Sequence, residues 1–118
     1  MRKLTSTNYH NQAFLQEKCA LNELIYLLSK RWMTDVLFSI EEGNNRFSSL
    51  KDDLKHISDN VLAERLKALE QHGLILRNDT FKEVPARVEY LLTPNGEKLS
   101  EVLDGMCQFA EGHMEFPS

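Results

Sequence analysis

Apolar positions recur along this chain with a period that changes twice. Leu21, Leu24, Ile25 and Leu28 fall three and four residues apart and make one stripe of an amphipathic helix. Trp32, Val36, Leu37 and Ile40 make a second stripe that ends at Glu41-Glu42-Gly43, with a bend expected over Ser29-Lys30-Arg31. Tyr9, Phe14 and Leu15 point to a short helix starting near Asn8. The run from Ser48 to Leu54 spaces Leu50 and Leu54 for another helix, which His56-Ile57-Ser58 interrupts. Val61, Leu62, Leu66 and Leu69 then resume the helical spacing. Ser58 suits the N-cap of this last segment, because its hydroxyl can accept a first-turn N–H, and Gly73 reads as its stop.

After Gly73 the period shortens. Leu74-Ile75-Leu76-Arg77 reads as a strand, residues 78–83 as a polar tip, and Val88, Tyr90 and Leu92 alternate along a return strand. Pro85 sits where that strand would start, a place that tolerates its missing N–H. Thr93 suits an N-cap and Pro94 a first helical position, opening a last helix to about Gly112. Leu99, Val102, Leu103, Met106, Phe109 and Ala110 share its broad apolar stripe.

These elements predict a mainly α fold with a small β-ribbon. It is a winged helix-turn-helix over residues 46–92, carried on N- and C-terminal helices over 13–42 and 94–112, in one domain spanning 1–118. Residues 1–12 are polar and are expected to be mobile. The terminal helices hold more apolar surface than the middle needs. A homodimer interface accounts for the surplus, and packing of the two ends within one chain is the alternative. A helix pair followed by a ribbon is a device for gripping duplex DNA. A twofold axis would set two recognition helices ~34 Å apart on successive major grooves, which calls for a palindromic operator.

The net charge of −4 counts against an indiscriminate nucleic-acid binder. Its distribution changes the picture. Residues 43–98 hold nine basic and nine acidic side chains, so the flanks carry the whole excess. A neutral middle can present one basic face, with modest non-specific affinity that depends on salt. The acidity also keeps a second reading in play, a winged-helix protein–protein interaction module without DNA binding. The basic N-terminus has no apolar block behind it, as a signal peptide would, and no stretch is long and apolar enough to cross a membrane, so a cytoplasmic address is expected. Cys19 and Cys107 make neither a disulfide framework nor a zinc pair, and His10, His56, His72 and His113 show no metal spacing. No cofactor is expected. No nucleophile–base pairing, carboxylate pair or phosphate-binding glycine loop points to an enzyme.

The chain resembles the HxlR-type winged-helix transcriptional regulators, relatives of the MarR group. The resemblance rests on Lys30-Arg31-Trp32, Gly43, Arg46-Phe47-Ser48-Ser49-Leu50, Ile57-Ser58, Val61-Leu62, Arg65-Leu66, Leu69-Glu70 and Gly73-Leu74-Ile75. It continues through residues 83–90, Leu92-Thr93 and Gly96, covers roughly residues 19–112, and is most distinctive from Val84 to Thr93. Three positions depart from the family pattern. Ser29 stands near a place where Gly commonly precedes the Lys-x-Trp element. His56 stands where the turn often carries Gly, and His tolerates a left-handed backbone better than most side chains. Cys19-Ala20 replaces a frequent Cys-Pro.

In a helix-turn-helix the N-terminal part of the second helix meets base edges. That makes Ser58, Asn60, Arg65 and Lys67 candidate DNA contacts. Asn60 would read adenine, and Arg65 a guanine or a phosphate. Asp59 and Glu64 would repel phosphates unless they pair locally; Glu64, one residue away, does not face Arg65. Ser48, Ser49 and Lys51 could donate to a phosphate at the start of the first helix, simple capping being the other role for the serines. On the ribbon, Lys82 would contact the minor groove or its backbone, with Arg77, Asn78 and Arg87 at the base. Arg87 is equally well read as a structural partner of Glu83 or Glu89. Trp32 is expected to anchor the core. The resemblance implies an effector, a small molecule or an electrophile, because some members of the family sense oxidants through a cysteine near Cys19. Lys18 and the helix that follows Cys19 would favour its thiolate. Cys107, beside Met106, reads as buried.

Overall fold

The computed structural model describes residues 20–80 and 87–117. The helix expected near Asn8, Cys19, Lys82 and Pro85 lie outside them. The chain divides into two compact units, residues 1–33 and 34–118.

In the first unit, helix α1 is described over 20–29 and is followed by a turn at 30–32. Leu27 is its buried residue; Leu24 and Leu28 are half-buried, and Leu21 and Ile25 are exposed. The buried line is therefore displaced from the expected stripe. Ser29 belongs to the helix, where its hydroxyl donates to the Tyr26 carbonyl at 2.7 Å. Trp32 adopts φ 73°, uncommon for a large side chain, and is half-buried. It does not anchor the core as expected, because α2 begins one residue later at Met33. Its ring instead faces the Arg31 guanidinium at 5.2 Å.

The second unit contains the rest of α2 (Met33–Glu41), then α3 (Phe47–Leu54) and α4 (Asp59–Gln71). The ribbon strands β1 (Ile75–Thr80) and β2 (Arg87–Leu92) follow, and then α5 (Pro94–His113). Val36, Leu37, Leu50, Leu62 and Leu69 are fully buried, and Ile57 and Ile75 nearly so. Each such side chain contributes ~1.5–3 kcal/mol relative to exposure. Both expected caps are present. Ser58 Oγ accepts the Val61 N–H, and Thr93 Oγ1 accepts the Gly96 N–H. Gly73 takes the left-handed conformation expected of the residue that ends α4.

The strands are antiparallel, with Ile75 opposite Leu92 and Arg77 opposite Tyr90. Residues 78–80, expected in the polar tip, continue β1. The α2–α3 loop is fastened to β2: the Asn45 carbonyl accepts the Tyr90 N–H at 2.8 Å, and Asn45 Nδ2 donates to Glu89 at 3.2 Å. Buried Ser39 ties α2 to α3 by donating to Asp53, and it accepts from Asn44. On α5, Leu99 and Leu103 are buried, whereas Val102, Met106 and Phe109 are exposed. The expected stripe is thus split along the helix. No helix among the described residues is long and apolar enough to cross a membrane.

Candidate nucleic-acid interface

The helix pair α3–α4 is joined by a four-residue turn whose shape is set locally. The left-handed residue is Lys55, with φ 53°, and not His56 as the sequence suggested. The Lys55 N–H closes on the Lys51 carbonyl at 2.8 Å, which ends α3. Ile57 buries its side chain, and Ser58 caps α4. The turn holds without a glycine because two backbone bonds, from the Lys55 N–H to the Lys51 carbonyl and from the His56 N–H to the Leu54 carbonyl, fix it together with one apolar plug and one cap.

Helix α4 turns Leu62, Leu66 and Leu69 inward and leaves Asn60, Ala63, Glu64 and Lys67 exposed. Asn60 and Lys67 have no hydrogen-bond or ion-pair partner among the described residues. Arg65 differs. Its side chain is 17% exposed, it lies 3.7 Å from Glu64, and it is engaged in further contacts. The expectation that Glu64 does not face Arg65 is corrected, because two long side chains bridge adjacent positions. Ser48 is exposed and Ser49 half-buried in the first turn of α3. The N-cap of α3 is Arg46, which makes no side-chain cap bond. Lys51 is engaged within the motif, 2.6 Å from the Ile57 carbonyl and 2.9 Å from Asp59.

The ribbon register divides the wing cations. Arg77 shares a face with Asp79, Val88 and Tyr90; Asn78 and Arg87 lie on the other. These three are thus not brought together. Arg77 Nε donates to Asp79 at 3.0 Å. That hydrogen bond, with the Asp79 charge, raises its pKa further above the already high guanidinium value. Arg77 and Lys67 line one cleft of about 380 Å³ with Phe47, Leu66, Glu70 and Tyr90. Glu89 is taken by Asn45, and Arg87 is engaged in contacts of its own. The tethers from Asn45 and Ser39 carry no signal in the sequence, since no periodicity marks a long-range polar pair.

No group of three or more histidine, cysteine or acidic side chains among the described residues could hold a metal. Cys107 is exposed, against the expectation that it is buried; the buried side of α5 ends at Leu103, one turn earlier.

Comparison with known proteins places this geometry. The family model described as HxlR-like helix-turn-helix matches residues 27–117. The uncharacterised HTH-type transcriptional regulator YvaP of Bacillus subtilis is 40% identical over 84 residues, covering 71% of this chain and 77% of that protein. The reduced form of the transcriptional regulator YodB from B. subtilis superimposes with a TM-score of 0.75 at 32% identity, covering 84% of this chain and 96% of that one. Its quinone-bound form gives a TM-score of 0.67 at 32% identity, covering 78% and 96%.

Proposed function

The chain belongs to the HxlR-like helix-turn-helix family and is an HTH-type transcriptional regulator, not an enzyme; from that premise we propose that it acts as a homodimer on a palindromic operator in double-stranded DNA and answers a small-molecule or redox signal. The observation that carries this reading is the exposed face of α4. A capped helix presents unpartnered Asn60 near its start and unpartnered Lys67 further along, and Lys67 lines one cleft with Arg77 of the ribbon. An amide at the N-terminal end of such a helix can pair with adenine, and a free ammonium about two turns further on suits a phosphate. Ser48 and Ser49, on the uncapped first turn of α3, add donors for the DNA backbone. Ser58 keeps its hydroxyl proton available while its oxygen caps α4. Asn78, Arg87 and Lys82 extend the contact along the wing, and Arg65 supports it from a more covered position.

Dimerisation is supported by Val102, Met106 and Phe109, exposed at helical spacing on α5. A contiguous apolar stripe of this kind suits a self-complementary interface about a twofold axis. The signal is the finer part of the reading. The relative YodB has been solved bound to quinone, and Cys19 is the thiol assigned here to an electrophile. Such an effector would shift the separation of the two recognition helices, and with it contacts worth ~1–3 kcal/mol each.

Selection from random duplexes at ~150 mM salt tests the proposal. A twofold-symmetric site bound well above random sequence is the expected result. Affinity no better than for random DNA overturns the operator reading and leaves the protein-interaction module. Oxidant response is checked separately with Cys19→Ser, which should abolish it.

A further inference from the structure

We propose that Lys51 is the positioning residue of the recognition helix, its ammonium spent on the turn and on Asp59 rather than on a DNA phosphate. The inference rests on α4 being the helix that reads DNA.

One residue fastens the turn at three points. The Lys51 carbonyl accepts the Lys55 N–H at 2.8 Å, its Nζ donates to the Ile57 carbonyl at 2.6 Å, and the same Nζ lies 2.9 Å from Asp59 Oδ1. The turn has need of this. Lys55 adopts φ 53° with ψ −57°, a positive-φ conformation that a side chain with a Cβ resists. Ile57 has its side chain buried, so the position of its carbonyl is fixed. An ammonium has several donors and can satisfy a carbonyl and a carboxylate together, which orients both. An exposed ion pair alone would do little; here the carbonyl bond gives it direction.

Asp59 explains the second half of the role. It is the first residue of α4, where a carboxylate suits the helix dipole. It also neighbours Asn60, where an unpaired negative charge would repel the phosphates beside the base being read. Lys51 is 30% exposed and Asp59 76%, so the ammonium is the more covered partner and offsets the carboxylate from the protein side.

The test combines Lys51→Ala, Asp59→Asn and their double variant, read by titration with the selected site and a random duplex across salt, and by amide exchange over residues 55–60. The expected result for Lys51→Ala is about a tenfold fall in the ratio of site to random affinity. The slope against salt stays at the wild-type value, and exchange over residues 55–60 is faster. Asp59→Asn should recover part of the loss, giving non-additive effects, and Lys51→Arg should restore both readouts. Equal weakening on both duplexes, additive effects and a slope lower by ~0.9 would assign Lys51 to a phosphate and overturn the proposal. If the wild-type chain prefers no sequence, the DNA reading itself fails, and exchange decides alone: unchanged exchange in Lys51→Ala removes the brace.

Discussion

Gly96 lies so close to the Leu74 carbonyl that a Cβ on Gly96 would fall on that oxygen. The same carbonyl accepts the Thr93 N–H at 3.1 Å. The first turn of α5 is thus seated on the entrance to β1, backbone against backbone. Gly96→Ala has to push α5 off the ribbon. We expect a loss of about 1–3 kcal/mol and a fall in Tm of roughly 5–15 °C by calorimetry. A Tm equal to wild type would show that the seat gives way freely.

Ser58 predicts a smaller effect with a clear chemical signature. Its Oγ accepts the Val61 N–H at 3.1 Å, satisfying one free donor of α4. Ser58→Ala should cost about 0.5–2 kcal/mol in denaturant unfolding, and Ser58→Asp should recover most of it, because a carboxylate oxygen accepts the same bond. Equal stability of all three proteins would remove the cap from the account.

Much of this architecture was legible before any coordinates. Ser58, Gly73 and Thr93 mark element ends because capping is a local matter of one side chain and one or two N–H groups. The alternation of Val88, Tyr90 and Leu92 likewise gives a strand by itself. What could not be read were relations between distant residues. Nothing in the spacing of Asn45 and Glu89 announces that they meet. The split of α5, buried at Leu103 and exposed at Met106, depends on where neighbouring elements stop. That split also exposed Cys107. At the candidate interface, residue types identified the outward face of α4 at Asn60 and Lys67. Strand alternation separates Arg77 from Asn78, and only the register places Arg87 on the Asn78 face.

Ser100 makes a prediction of opposite sign. It is fully buried on α5, and its hydroxyl finds no partner among the described residues. A buried hydroxyl without a hydrogen bond costs stability. Ser100→Ala removes the oxygen and also favours the helix. We expect about 0.5–2 kcal/mol of added stability in denaturant unfolding. Destabilisation would show that the hydroxyl is satisfied after all.

Phe109 is 58% exposed on α5, so a charge there should leave the fold of one chain intact. Phe109→Glu is expected to keep the wild-type circular dichroism spectrum while raising the dimer dissociation constant more than tenfold in sedimentation. Each copy would lose ~1.5–3 kcal/mol of apolar burial, and a twofold axis counts it twice. Unchanged self-association would place the interface elsewhere.

Asn60 and Lys67 lie on one exposed face of α4 but are expected to fail differently. An amide that pairs with adenine distinguishes bases, whereas an ammonium near a phosphate does not. Asn60→Ala should therefore weaken the selected site by about 1–3 kcal/mol and leave random duplex nearly as it was. The preference should relax at one position of each half-site. Lys67→Ala should weaken both duplexes together and lower the salt slope by ~0.9 per chain, since one fewer phosphate is neutralised. Both follow from titrating the two duplexes at several salt concentrations. If Asn60→Ala behaves as Lys67→Ala is expected to, with both duplexes weakened and no base preference lost, base reading passes to other residues and Asn60 becomes a backbone contact.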